Sequence, residues 1–324
     1  MSFSSLAKIA LAFLGLMTSI SAGWGQGYPN KPVRIILPVQ AGAGSDLLMR
    51  FFADALSQSL GQRVVVENRP GAAGNIGMAA AAKAAPDGYT LVQGALGQSV
   101  LNQFLYSSLE FNPEKDFDPI VLMAKLPFVI ATHPDFPVKS LAELIAASKA
   151  KPNTINVATT SPTARVLYEI FRMRSGAQLF PVRYAGPAAA LPDVLNGRVP
   201  IFIETVAAVR SLVSSGKLKP LAITSQRSSD LVPGVKSVAE QGVQGFNEVV
   251  GWIGLFAPAG SPQAAIKLLN GEINKILARP ETRQRLLEFG GEPASGTPEE
   301  LAAYVASERE KWGQVIRSEN IKVD

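Results

Sequence analysis

Residues 33–60 read VRIILPVQAGAGSDLLMRFFADALSQSL, and this stretch decides the fold. A short apolar run from Val33 to Val39 ends at the glycine-rich AGAGSD, after which apolar residues recur at helical spacing from Ser45 to Leu60. This pattern predicts a β-strand, a glycine-rich loop and an α-helix in that order. When such a unit repeats along a chain, we expect buried parallel strands joined by crossover helices.

The unit repeats downstream. VVVE at 64–67 leads through NRPGAAGN into an alanine-rich helix that ends near Ala84, and PDGY then turns into a strand at 90–93. Later runs predict strands at 120–124, 129–132, 155–158, 199–203, 221–224 and 251–257, and helices at 140–150, 262–277, 281–289 and 297–318. Thr297 and Glu300 of TPEE have the spacing of a helix-capping pair. The pattern indicates a two-lobed α/β protein that crosses between lobes near Met123 and Val249.

The first 25 residues differ from the rest. Lys8 is their only charge, and a mainly apolar run from Ile9 to Ile20 ends in small residues. This layout predicts a secretory signal peptide, residues 1–25, with cleavage between residues 22 and 27. A membrane anchor is the alternative, but the run is shorter than the roughly 20 residues that span a bilayer. The absence of cysteine suits a periplasmic protein without disulfides, so we expect export to the periplasm.

The net charge of +5 raises the question of a nucleic-acid partner. Lysine and arginine are spread thinly along the chain, and no basic run is interleaved with aromatic residues. Nucleic-acid binding is therefore not predicted. A basic protein of this kind attracts small anions instead.

The glycine-rich loop QAGAGSD, residues 40–46, is a candidate anion site. It follows the first strand, and the helix that begins there offers free NH groups and the positive end of its dipole. Neither the dinucleotide-binding nor the P-loop glycine pattern is present. The alternative is a tight turn in which Ser45 or Asp46 only caps the helix.

Catalytic and metal-binding groups are scarce. His133 is the only histidine and has no cysteine beside it, so neither a metal site nor a Ser-His-Asp triad is predicted. Arg165 suits bidentate capture of a carboxylate but could equally be a solvated surface charge. Trp252 could be a plain core aromatic. The sequence therefore favours a binding protein without cofactor over an enzyme.

Several blocks, in order, resemble one known family, the tripartite tricarboxylate transporter receptors, also called Bug or TctC-type periplasmic solute-binding proteins. They are YPNKPVRIILPV (28–39), GQRVVVENRPGAAGNIG (61–77), AAPDGYTL (84–91), FNPEKDFDPI (111–120), GKLKPLAITSQRS (216–228), GLFAPAGSP (254–262) and GTPEELAAY (296–304). The blocks span essentially the whole mature chain. They are too many, and too well ordered, to coincide by chance.

The resemblance implies a type II periplasmic-binding-protein fold, a Venus flytrap with a ligand cleft between lobes. We expect one lobe from residues 26–123 with 250–324 and the other from residues 124–249. It implies a monomeric receptor, not an enzyme, that passes a small carboxylate to the membrane components of a tripartite tricarboxylate transporter. Two alternatives stay open: a sensor that feeds a signalling system, and an exported enzyme with Asp46 or Glu204 as its base.

The resemblance also implies where the ligand binds: loops 38–46 and 94–99 in the first lobe, loops 159–165 and 183–188 in the second, and the strand end at Glu204 and Thr205. The candidate ligand-binding residues are Val39, Gln40, Gly42, Ala43, Gly44, Ser45, Asp46, Ala95, Leu96, Gln98, Thr160, Ser161, Thr163, Arg165, Tyr184, Ala185, Gly186, Glu204 and Trp252. Ser45 and Asp46 would fix the first loop while its NH groups hold a carboxylate.

The chain departs from the family pattern on the second-lobe side. TTSPTAR places Arg165 where the family usually has histidine, and Glu204 with Thr205 replaces the usual Asp-Asn pair. Leu96 and Pro162 further reduce the small polar groups. We therefore expect a ligand with fewer hydroxyl or carboxyl groups than citrate, an aromatic, dicarboxylic or longer aliphatic acid, with Arg165 on a carboxylate.

Overall fold

A computed structural model describes residues 27–42, 44–246, 249–318 and 320–321. The predicted signal peptide, residues 1–25, and the candidate ligand residue Ala43 lie outside the described residues. None of the helices within the described ranges is long and apolar enough to cross a membrane.

The strands and helices alternate along most of the chain. The strands are β1 Val33–Leu37, β2 Val64–Asn68, β3 Thr90–Ala95, β4 Phe117–Thr132, β5 Asn156–Thr159, β6 Phe180–Arg183, β7 Ile201–Thr205, β8 Lys219–Ile223, β9 Val250–Pro258 and β10 Glu292–Pro293. The α-helices are α1 Gly44–Leu60, α2 Asn75–Ala82, α3 Asn102–Leu105, α4 Leu141–Ala150, α5 Pro162–Ser175, α6 Pro187–Leu195, α7 Val206–Ser214, α8 Gln263–Leu277, α9 Pro280–Phe289 and α10 Pro298–Ser318. A 3-10 turn, Ala72–Gly74, precedes α2, and a π-helical turn, Gly97–Leu101, precedes α3.

The strands form a curled mixed sheet with the order β2-β1-β3-β9-β4-β7-β5-β6, and β8 and β10 also pair with β4. β1 is parallel to β2 and β3, and β5 is parallel to β6 and β7. β4 and β9 are antiparallel to each other and to their outer neighbours. The chain therefore forms two α/β lobes, each with parallel outer strands, joined through β4 and β9. The predicted α/β class is confirmed, although the sheet is mixed.

Strand β4 passes through both lobes. It pairs with β9 as far as Pro127 and with β7 from Phe128 onward. The prediction of two strands, at 120–124 and 129–132, is therefore wrong. Pairing with β9 and then with β7 keeps the backbone extended through Lys125 and Pro127, which interrupt the apolar run without interrupting the strand.

Strand β6 was not predicted because its sequence, FPVR, is not a continuous apolar run. Phe180 is 51% exposed, and Arg183 at the other end is also exposed. As the outermost strand of its lobe, β6 has a partner on one side only, which is β5. Pro181 is compatible with such an edge position because it cannot donate to a further strand.

The buried apolar side chains form three clusters on the faces of the sheet. One apolar cluster fills the first lobe between the sheet and helices α1 and α8, and another fills the second lobe beneath α6 and α7. A third cluster contains residues of both lobes and packs α2, α5 and α10 against the sheet. The two lobes therefore share this third cluster.

Helix α10 begins as predicted. The NH of Glu300 donates to Thr297 Oγ1 at 3.2 Å, and the NH of Thr297 donates to Glu300 Oε2 at 2.8 Å. These reciprocal bonds are a capping box, which satisfies two NH groups that would otherwise lack a helical partner.

Candidate functional site

A cavity of about 500 Å3 lies between the lobes, at the carboxyl ends of their parallel strands. Its lining includes Ala73 and Tyr106 from the first lobe and Thr159, Thr160, Ser161, Pro162, Arg165, Arg183, Tyr184 and Ala185 from the second. Open α/β sheets bind ligands at this edge because the strands end and the helices begin there. The volume falls within the range of small-molecule sites.

Helix α5 directs its N-terminus at the cavity. The chain leaves β5 at Thr159, and Ser161 caps the helix by accepting the NH of Ala164 at 3.1 Å. Pro162 occupies the first helical position, where the missing NH has no helical partner to lose. Ser161 and Pro162 both line the cavity, so the positive end of the helix dipole faces the space that a ligand would occupy.

Arg165, one turn into α5, places a cation in the same wall. Its Nε donates to Glu169 Oε1 at 2.9 Å, and its Nη2 forms an ion pair with the same oxygen at 2.7 Å. Arg172 holds the other oxygen of Glu169 at 2.8 Å. The Glu169 side chain is only 8% exposed, whereas that of Arg165 is 37% exposed. Arg165 is therefore fixed from behind while part of its guanidinium stays accessible.

The loop after β6 adds a second cation and a phenol. Arg183, the last residue of β6, is exposed and lines the cavity beside Tyr184. The Tyr184 hydroxyl donates to Asp193 Oδ2 at 2.7 Å. Burial, with this bond to Asp193, raises the pKa of Tyr184 to about 12, so the phenol stays neutral and firmly placed.

Glu204, near the end of β7, lies directly behind the cavity wall. It is 5% exposed, and the Thr160 hydroxyl donates to its Oε2 while the NH of Thr205 donates to Oε1 at 2.7 Å. Burial raises the pKa of the Glu204 carboxyl, and the bonds from Thr160 and Thr205 oppose that rise. No ion pair to Glu204 occurs within the described ranges of the chain.

The first-lobe wall is built on a left-handed turn. All four residues from Gly71 to Gly74 have positive φ, and two of them, Ala72 at 46° and Ala73 at 51°, are not glycine. A left-handed alanine costs roughly 1–2 kcal/mol. The turn is held by Gly74 NH donating to Gly71 O at 2.9 Å and by Asn102 Nδ2 donating to Ala73 O at 3.4 Å. Strain of this kind concentrates at ligand sites, and Ala73 lines the cavity.

Asp46 serves the glycine-rich loop as a clamp. Its carboxylate is 2% exposed and accepts the NH of Gly42 at 2.9 Å, Arg50 Nε at 3.1 Å and Asn68 Nδ2 at 2.8 Å. Burial alone would raise the pKa of Asp46, but the bonds from Arg50, Gly42 and Asn68 outweigh it and hold that pKa below its usual value. With its oxygens occupied, Asp46 fixes the loop at the end of β1.

The remaining predicted residues differ in their placement. Gly97 and Thr163 meet across the cleft, since a Cβ on Gly97 would lie 3.8 Å from Thr163 Oγ1. Gln98 packs against Gly74, whose added Cβ would come within 2.7 Å of Gln98 Cγ. Of the others, Gly186 is the N-cap of α6, and Ala95 is half-buried at the end of β3. Ser45 is half-buried in the first turn of α1. The residues that follow β1 are Val39, Gln40, Gly42 and Gly44.

Two predicted residues are packed in the core. Leu96 is 2% exposed and Trp252 is 1% exposed. The Trp252 ring packs against Phe256 and Tyr304 with ring centroids 6.4 and 6.0 Å away. A ligand would reach either side chain only if this packing opened. The structure instead adds Ala73 and Tyr106, which no predicted loop contained; the glycine-rich NRPGAAGN was the available signal for Ala73.

His133 has a structural environment. Its Nδ1 accepts the NH of Asp135 at 3.2 Å, which leaves the proton on Nε2, 3.2 Å from the carbonyl oxygen of Leu195. Across the ranges that the structure covers, no three His, Cys, Asp or Glu side chains are grouped closely enough to hold a metal ion.

Comparisons with known proteins agree with this geometry. The family model described as "Tripartite tricarboxylate transporter family receptor" matches residues 48–321. The chain is 35% identical to Protein BugT of Bordetella pertussis over 323 residues, which cover 97% of this chain and 96% of BugT.

Two solved structures are similar along their whole length. "R. palustris Rpa4515 with adipate" gives a TM-score of 0.83 at 29% identity and covers 92% of this chain and 100% of its own. MatC from Rhodopseudomonas palustris with bound malate gives a TM-score of 0.78 at 28% identity and covers 89% of this chain and 100% of its own. Adipate and malate are both small dicarboxylates.

Proposed function

This chain belongs to the tripartite tricarboxylate transporter receptor family, and we propose that it captures a small organic acid between its lobes and presents it to the membrane components of such a transporter. The observation that carries the proposal is the cavity between the lobes, whose lining includes Arg165, Arg183 and the N-terminal turn of α5. These groups supply positive charge and hydrogen-bond donors, which a carboxylate requires.

The size of the cavity supports a small ligand. About 500 Å3 accommodates an acid of the size of adipate or malate, the ligands named for the two similar structures. Tyr106, Tyr184 and Ala185 offer apolar surface beside the cations, so a chain or ring can lie against one part of the wall. We therefore retain an aliphatic dicarboxylate or an aromatic acid as the expected ligand, and Arg165 as a contact to its carboxylate.

Capture would use the two strands that join the lobes. We propose that the lobes, residues 26–123 with 250–324 and residues 124–249, close about β4 and β9. A ligand that touches both walls binds the closed state better than the open one and so shifts the population toward closure. The receptor would act in the periplasm as a monomer, and the closed surface would be what the transporter recognises.

A thermal-shift screen over mono-, di- and aromatic carboxylates tests the proposal, with adipate and malate included. A ligand at 100 times its dissociation constant adds about 2.7 kcal/mol to the free energy of unfolding, which raises the melting temperature measurably. The amides and the uncharged esters of the same acids serve as controls because they lack the carboxylate. If no carboxylate shifts the melting temperature more than its ester does, the proposed function is wrong.

A further inference from the structure

The contact between Thr160 and Glu204 limits what the cavity can recognise. Thr160 is only 6% exposed, yet it lines the cavity, and its hydroxyl donates to Glu204 Oε2. A threonine hydroxyl has one proton and two lone pairs. An ionised carboxylate can only accept hydrogen bonds. While Glu204 is ionised, the single proton of Thr160 is committed to it, and the hydroxyl oxygen can offer the cavity only acceptor capacity.

Glu204 is held at both of its oxygens. Its second oxygen, Oε1, already accepts the backbone NH of Thr205 at 2.7 Å. A backbone NH is a donor in every protonation state, so it fixes which side of the carboxyl group faces Thr160. Within the described ranges no lysine, arginine or histidine pairs with Glu204; its side-chain donors are the Thr160 hydroxyl, on Oε2, and the Thr205 hydroxyl.

The rest of the wall has the opposite polarity. Arg165 and Arg183 carry only donors, and the α5 N-terminus presents backbone NH groups to the same space. A ligand carboxylate satisfies those donors but has no proton for Thr160. A buried acceptor left without a donor is unfavourable, so a ligand that brings its own donor to Thr160 gains over one that does not.

We propose that the Thr160–Glu204 pair makes this cavity select organic acids that carry a hydroxyl or amino group beside their carboxylate. This selectivity rests on the proposed function, because it assigns a role to one wall of the same cavity. Thr160 would be the specificity-determining contact, and Glu204 would act through it as a positioning residue.

Calorimetric titration of matched acids tests the proposal: malate against succinate, lactate against propionate, and mandelate against phenylacetate. Burial raises the pKa of Glu204, so the titrations are run at alkaline pH, which favours the ionised carboxyl. We expect the wild-type protein to bind the hydroxylated member of each pair that it accepts about tenfold more tightly.

Glu204→Gln should reverse the polarity without changing the shape. The glutamine carbonyl must stay against the NH of Thr205, which places the amide NH2 against Thr160 and forces that hydroxyl to accept. Its proton is then free to donate to the ligand, and the preference for hydroxylated acids should fall to about twofold or less. Thr160→Val should also abolish the preference, whereas Thr160→Ser, which keeps the hydroxyl, should retain it.

The outcomes separate the two proposals. A wild-type protein that binds acids without preferring the hydroxylated members would overturn the selectivity alone. So would a preference that survives unchanged in both Glu204→Gln and Thr160→Val. A wild-type protein that binds none of the six acids would overturn the selectivity, and failure against the full carboxylate screen would overturn the proposed function as well.

Discussion

Arg165 contacts a single oxygen of Glu169, Oε1, with two nitrogens: Nε donates a hydrogen bond at 2.9 Å and Nη2 forms an ion pair at 2.7 Å. Arg172 holds the other oxygen of the same carboxylate. A nearly buried Glu169 thus orients two guanidinium groups on α5, and of these two only Arg165 belongs to the lining of the cavity between the lobes. Because a guanidinium has five N–H donors, Arg165 keeps donors for a ligand while its plane is fixed.

Arg165→Ala should weaken binding of the captured acid by about 1.5–3 kcal/mol, the usual value of a hydrogen bond to a charged group. Calorimetry with the acid that gives the largest thermal shift measures the change. Arg172→Ala is the matched control. It removes the other arginine that pairs with Glu169 and should leave the affinity within about threefold. Equal affinity in the wild type and Arg165→Ala would exclude Arg165 as a contact.

Asp46 should make the stability of the first lobe depend on pH. Its folded-state pKa lies below the unfolded value of about 3.9, so its contribution is present above that value and is lost as the pH falls through the folded pKa. Asp46→Asn should therefore cost about 1.5–3 kcal/mol at neutral pH, because a charged acceptor of three donors is lost. That difference should shrink below about pH 4.

Urea unfolding at a series of pH values measures the Asp46 effect. Asp54→Asn removes an exposed carboxylate from the same helix, α1, and should change the free energy of unfolding by less than about 0.5 kcal/mol at every pH. A destabilisation by Asp46→Asn that stays constant from neutral to acidic pH would show that the charge of Asp46 does not matter.

Gly290 lies where the two lobes touch. It ends α9 with φ of +88°, and an added Cβ would come 2.5 Å from the backbone nitrogen of Ala207 in α7. Gly290→Ala should therefore cost more than the roughly 1–2 kcal/mol of a left-handed alanine, and we expect about 3 kcal/mol or more. Thermal unfolding provides the measurement.

Gly216→Ala is the matched control for Gly290→Ala. Gly216 has φ of +70° but nothing within 4 Å of an added Cβ, so its substitution carries the backbone strain without the clash. Equal losses of stability in the two variants would mean that α9 moves away from α7 at little cost, and that the contact between the lobes at this point is loose.

The sequence predicted the elements whose signals are local. The strand, loop and helix at 33–60 and the capping pair Thr297 and Glu300 depend on the spacing of neighbouring residues, and the structure contains them with boundaries shifted by a residue or two. Long-range pairing was harder to predict. The continuity of β4 through Pro127 comes from its pairing with β9 and β7, which no local pattern reveals.

The candidate site divides in the same way. The resemblance to the receptor family implied Thr160, Ser161, Arg165, Tyr184 and Ala185 as ligand residues, and all five line the cavity. Ala73 and Tyr106 were missed because only the folding of the first lobe against the second brings them to the same wall. Likewise, the hydrogen bond between Thr160 and Glu204 joins residues 44 positions apart, and no spacing in the sequence predicts it.

Filling the cavity tests most directly whether the acid binds there. Ala185 is exposed and lines the cavity, so Ala185→Trp would place an indole in the ligand space; Ala146→Trp adds the same side chain on the exposed face of α4. Calorimetric titration of the best acid should give one site with equal affinity in the wild type and Ala146→Trp, and at least about a hundredfold loss, near 2.7 kcal/mol, in Ala185→Trp. Equal affinity in all three proteins would contradict capture of the acid between the lobes.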